Sequence, residues 1–191
     1  MHAALKTIGA LGSCAILAAS ITFVAESAAE TAQDKYALKV PGGLAFSDFK
    51  GYESWEFISL SHSEKLVAVI VGNPTMIAAY KSGIPDNGKP FPDGSKMAKI
   101  HWEPKQSAKA PGPTTVPGTL HDVDFMEKDT KRFVDSGGWG YAAFKYDAAS
   151  ETFEPADMTA TPPQGNDAKC GAACHTIVKT RDYVFTEYGK R

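Results

Sequence analysis

Short apolar runs of period two, each closed by a cluster of proline, glycine or asparagine, recur along this chain and leave little room for a long helix. Residues 54–60 alternate, with Trp55, Phe57 and Ser59 against Glu56, Ile58 and Leu60, and 66–71 is a β-branched apolar run; both read as strands. Asn73-Pro74 supplies an N-cap and a first-turn proline, which predicts a short helix over 75–81 with Gly83 as its stop. The turn-dense stretch 85–94 delivers the chain into a strand over 96–103, where Ala98, Ile100 and Trp102 alternate with Met97, Lys99 and His101. A Pro/Gly/Thr segment occupies 110–118, strands follow at 121–126 and 139–146, 147–166 reads as mostly loop, and 167–179 reads as a helix. Five or so short strands against two or three short helices predict a β-rich α+β fold: one domain with an antiparallel sheet.

Composition narrows the setting. Of 191 residues, 1–29 have the three parts of a secretory signal: Lys6, an apolar run from Ile8 to Ala25, and the small residues Ser27, Ala28 and Ala29 at the expected cut. Cys14 lies inside that run rather than at its end, which argues against a lipid-anchored cysteine. Residues 30–50, with a Pro41-Gly42-Gly43 turn, read as an N-terminal arm laid on a domain spanning 51–191. The formal net charge is -2 and no Lys/Arg block stands out, so nothing suggests nucleic acid or a membrane surface as partner.

Cleavage of the signal would leave Cys170 and Cys174 as the only thiols, and His175 follows the second directly. Two thiols and an adjacent imidazole are what covalent haem attachment needs: the thiols add across the two vinyl groups and the imidazole ligates iron. Three residues separate the cysteines where the usual spacing has two, and on a helix positions three or four apart share one face. A disulfide between Cys170 and Cys174, with His175 a bystander, is the alternative reading. Zinc is disfavoured, because a structural site usually takes four Cys or His ligands and this cluster offers three.

In this order, four pieces of sequence resemble the cytochrome P-460 and cytochrome c'-beta family: Gly51-Tyr52-Glu53-Ser54-Trp55, the run from Phe91-Pro92-Asp93-Gly94 to Lys99, Gly138-Trp139, and Cys174-His175 followed by Asp182-Tyr183-Val184-Phe185-Thr186. The resemblance implies a periplasmic, mainly β-sheet, homodimeric protein with one c-type haem and an open distal position. It makes Cys170 and Cys174 the thioether residues, His175 the proximal iron ligand, and Lys99 the lysine that some members bond to the porphyrin. Members with that cross-link oxidise hydroxylamine, and others bind nitric oxide or similar gases. The expected partners are a small nitrogen-containing ligand or substrate and a redox protein.

His62, His101 and His121 are conceivable second axial ligands, and Met97 a conceivable soft one, but no motif surrounds them and each is more simply a surface or packing residue. Two functions of different classes follow: a haem oxidoreductase acting on a small nitrogen compound, and a gas-binding or electron-transfer protein without catalysis. Material matured with periplasmic haem-attachment machinery should give a haem-stained band on a denaturing gel. Replacing Cys170 and Cys174 together by alanine should abolish it.

Overall fold

The computed structural model describes residues 32–40, 44–156 and 171–191, and from Gln33 on these form one unit. The N-terminal 31 residues, the Pro41-Gly42-Gly43 turn and residues 157–170, which include Cys170, lie outside the described residues. Six strands make a single antiparallel sheet in sequence order: β1 (Glu56–His62), β2 (Val67–Gly72), β3 (Lys96–Gln106), β4 (Thr115–Lys128), β5 (Trp139–Asp147) and β6 (Thr152–Pro155). The expected β-rich architecture is therefore observed. Among the described residues no helix is long and apolar enough to cross a membrane.

Register decides what each face carries, since alternate residues of a strand point to opposite sides and directly paired residues share one. Lys99 pairs with Ile70 on β2 and Asp124 on β4, His101 pairs with Asp122, and Asp124 pairs with Ala143 on β5. These stand on one face. The other carries Ala98, Val123, Phe125, Ala142 and Phe144, all buried. It is covered by the segment leading into β1, whose 3-10 turns at Phe46–Phe49 and Tyr52–Ser54 bury Phe46, Phe49 and Tyr52. Phe46 lies with its ring centroid 5.2 Å from Phe125, 4.9 Å from Phe144 and 5.1 Å from Phe153, and Phe49 stacks on Phe125 at 4.1 Å. Offset and edge-on rings at such distances add to the area they bury.

A second core forms at one end of the opposite face, where α1 (Pro74–Lys81) brings Met76, Ile77 and Tyr80 to Phe91, Trp139 and Val184. The helix starts as its sequence predicts: the Asn73 carboxamide oxygen accepts the Met76 N–H at 3.0 Å, and Pro74 occupies the first turn. The same oxygen accepts the Lys96 N–H, tying the helix start to β3.

Three expectations need correction. The 110–118 segment is not loop throughout, because β4 begins at Thr115 and pairs with β3 through Pro104↔Pro117 to Gln106↔Thr115. That part of the hairpin runs beyond the sheet, past the last pairs with β2 (Trp102) and β5 (Asp122), so each strand has a free edge and a proline without N–H costs no ladder bond. Within 147–166 the short strand β6 was not anticipated; four residues are too few for a periodic signal. The helix expected over 167–179 is, in its described part, one turn, α2 (Ala172–His175), followed by a 3-10 turn over Thr176–Arg181 kinked at Val178. The β-branched run Thr176-Ile177-Val178 disfavours continuation.

Truncating Phe46, which packs against five other rings, should lower stability by about 3–5 kcal/mol. A smaller loss for Phe46→Ala in denaturant unfolding would show that the covering segment contributes less than its burial implies.

Candidate functional site

A cavity of about 520 Å³ lies between the sheet face that bears Lys99 and the C-terminal segment that bears His175. Met97, Lys99, Asp124, Tyr141, Cys174 and His175 are among its walls. Lys99, which alternates with the buried Ala98 along β3, thus lines the cavity. Met97 lines it too, whereas His62, His101 and His121 do not.

His175 is held from three sides. Its Nδ1 lies 2.7 Å from the Tyr183 carbonyl oxygen, and its ring centroid is 4.9 Å from those of both Tyr141 and Phe185. A carbonyl only accepts, so Nδ1 carries the proton and Nε2 keeps a lone pair, the arrangement of a metal-ligating histidine whose second nitrogen is fixed by an outer partner. Burial depresses the imidazole pKa and the positive charge of Lys99 adds to that, against the opposing pull of the Tyr183 carbonyl. The neutral, ligating form is therefore favoured.

The carbonyl is placed by an uncommon stretch of backbone. Asp182 and Tyr183 both have positive φ, 49° and 65°. Asp182 is secured through its carboxylate, which accepts from Lys128 Nζ at 2.7 Å and from the Phe91 N–H at 2.8 Å. Lys128, on β4 and only 3% exposed, also donates to the Gly137 carbonyl at 2.9 Å. Tyr183 lies against Gly137, where φ is +70° and a Cβ would come within 2.2 Å of the tyrosine ring, so only glycine fits. At the start of the segment Gly171 touches Tyr141 just as closely, with a Cβ falling 2.3 Å from that ring. Cys174 is exposed and bonded to no other cysteine among the described residues.

Asp124 is the polar wall that sequence reasoning missed. Carboxylates were plentiful and nothing singled one out; the β3–β4 register does so by setting Asp124 directly opposite Lys99. Desolvation, limited by a side chain that stays 47% exposed, and the nearby Asp122 carboxylate push its carboxyl up to about 6, more than His101, Lys99 and His121 together pull it down. Asp122 shifts the other way: despite its burial, hydrogen bonds from His101 and His121 hold it below the usual range. The available signal was the alternation Asp122, Asp124, Met126 read against Lys99 and Met97.

The family model for cytochrome P460 matches residues 49–186. The chain belongs to the cytochrome P460 family. A comparison with curated proteins finds no match. Membership makes this a haem c cytochrome of the P460 type, and the described residues suit that cofactor. A neutral imidazole keeps Nε2 for iron, a thiol adjoins it in sequence, and the cavity has the size and largely apolar walls of a cofactor site. Cys170 belongs to the residues outside the description, so the second thiol is not located.

Raising the pKa of Asp124 above its unfolded value of about 3.9 means that the folded state holds more protons than the unfolded state between pH 4 and about 6. Stability from this group falls as pH rises through that window. Subtracting the thermal stability profile of Asp124→Asn from that of the wild type should therefore leave a difference that declines from pH 4 to 6 and is flat above; a flat difference throughout would remove Asp124 from the titrating groups.

Proposed function

We propose that this cytochrome P460 is an exported, periplasmic protein with a single covalently attached haem, and that it oxidises hydroxylamine or a related small nitrogen compound at an open iron position. The observation that carries the reading is Lys99 in the wall of the cavity that His175 also lines. When bound, haem supplies an iron that takes electrons one at a time for delivery to an external acceptor.

The chain's own residues supply the rest. Cys170 and Cys174 would hold haem through thioether bonds and His175 Nε2 would ligate its iron, with the imidazole oriented by the Tyr183 carbonyl. Lys99, in the cavity wall, is the residue for a bond to the porphyrin. Asp124, opposite Lys99, is placed to take a proton from an N–H or O–H of a small substrate, and a pKa near neutrality suits a group that must both accept and release one. His62, His101, His121 and Met97 are assigned no axial role; the first three do not line the cavity and Met97 is packed in it. A redox protein and a second copy of the chain are the proposed partners.

Peptide mapping of haem-loaded protein should recover the Lys99 peptide joined to the haem peptide. Lys99→Ala should give the absorption of an ordinary c-type haem and suppress hydroxylamine turnover at least ~100-fold, the scale of a lost catalytic group. Recovery of Lys99 as an unmodified peptide would replace the oxidase reading by a nitric-oxide-binding or electron-transfer one.

A further inference from the structure

Three titratable side chains, Asp124, His101 and Asp122, share the cavity face of β3 and β4, and His121, unpaired at the register shift beside Asp122, continues the row; the function proposed above uses only the first. Asp124 lines the cavity. Its Oδ2 is 3.9 Å from Nδ1 of His101, which is buried at 8% exposure. The same Nδ1 makes a short hydrogen bond to Asp122 Oδ1. Asp122 uses its other oxygen, Oδ2, for Nδ1 of His121 at 2.5 Å, and the His121 side chain is 46% exposed. The row thus begins at the cavity wall and ends in solvent.

We propose that His101, Asp122 and His121 carry protons between Asp124 in the cavity and bulk water. Two features separate this from an ordinary ion pair that merely holds β3 to β4. Asp122 engages two imidazoles through two different oxygens, so a proton accepted at Oδ1 from one imidazole is turned toward the other by rotation of the carboxyl group. His101 Nδ1 faces both carboxylates, so a single nitrogen can take a proton from one and pass it to the other. The 3.9 Å step is closed by a small rotation of Asp124 or by one bridging water.

The transfers balance. For each electron that leaves a substrate N–H or O–H for the external one-electron acceptor, one proton goes to the Asp124 carboxylate. With Nε2 protonated throughout, His101 gives its Nδ1 proton to Asp122 Oδ1 and is refilled at Nδ1 from Asp124; rotation of the Asp122 carboxyl presents the proton it has gained to His121 Nδ1, and His121 discharges that proton to water, restoring every group. The charged groups facing the row are Lys99 on β3 beside Asp124, Lys145 on β5 at the register position of Asp122, and Glu187 and His175 of the C-terminal segment lining the cavity. At the matching positions β2 offers only Ala68 and Ile70.

The inference rests on the oxidase reading for the source of the protons, and its test separates the two. In haem-loaded protein carrying His101→Ala or Asp122→Asn, reduction in unbuffered solution with a pH-indicating dye should show proton uptake slowed at least ~10-fold, within the range by which positioned proton-transfer groups act. Added imidazole should restore the rate in His101→Ala. Asp122→Asn keeps the size of the side chain and serves should His101→Ala fail to load haem. With hydroxylamine and a chemical acceptor, both variants should lose turnover by a similar factor and gain a larger solvent deuterium isotope effect. Slow uptake in the variants of a protein that never turns over hydroxylamine would uphold the relay and sink the oxidase. Uptake at the wild-type rate in both variants, or no uptake by the wild type, would overturn the relay. So would loss of the wild-type rate on chelation with recovery on adding a divalent cation, which would make His101, Asp122 and Asp124 a metal site instead.

Discussion

The ammonium of Lys128, almost wholly withdrawn from water, and the Asp182 carboxylate 2.7 Å away fix the relation between the sheet and the segment that bears His175. Taking either charge away would strand the other, and such a loss usually costs about 3–5 kcal/mol. The pair belongs to a chain of consequences. Asp182 is held in a left-handed conformation, Tyr183 follows in the same region, its carbonyl turns to His175 Nδ1, and Nε2 keeps its lone pair. The orientation of an imidazole at one end of the molecule is thus set by a lysine on the fourth strand, and Gly137 makes room for the ring that the turn brings in.

Charges within the cavity are coupled through Lys99. Its positive charge depresses both the His175 imidazole and the Asp124 carboxyl, one by repulsion and the other by attraction. A covalent bond that removed the charge would relax both in the same direction, making His175 more basic and Asp124 harder to ionise. Forming such a link would therefore alter the proton affinity of the wall opposite as well as the electronics of the porphyrin.

Much of this was legible in the sequence where local chemistry speaks for itself. Asn73-Pro74 announced α1, alternating or β-branched runs located β1, β2, β3, the second half of β4 and β5, and the parity of Met97, Lys99 and His101 put those three on one face. What was hidden depends on partners distant in the chain. Asp124 becomes distinctive only once β3 and β4 are aligned, and nothing local marks Lys128 and Asp182, 54 residues apart, as a pair. The hairpin beyond the sheet was obscured because Pro104 and Pro117 look like strand breakers, a rule that lapses where each strand has a free edge. The helix at the haem motif was overextended because helical spacing explained the cysteines, while the β-branched residues after His175 favoured a tighter turn.

Aromatic packing and the cavity occupy opposite sides of the same strands: Phe46 and Phe49 meet Phe125 and Phe144 on one, while Lys99 and Asp124 line the cavity on the other. Adjacent residues in β3 and β4 therefore meet different physical demands. A change at Ala98 or Phe125 is judged by volume, and one at Lys99 or Asp124 by reactivity. Such a scaffold can exchange one wall of its pocket at little risk to the other side of the sheet, so relatives with the same strands are free to diverge in what they do to a small molecule.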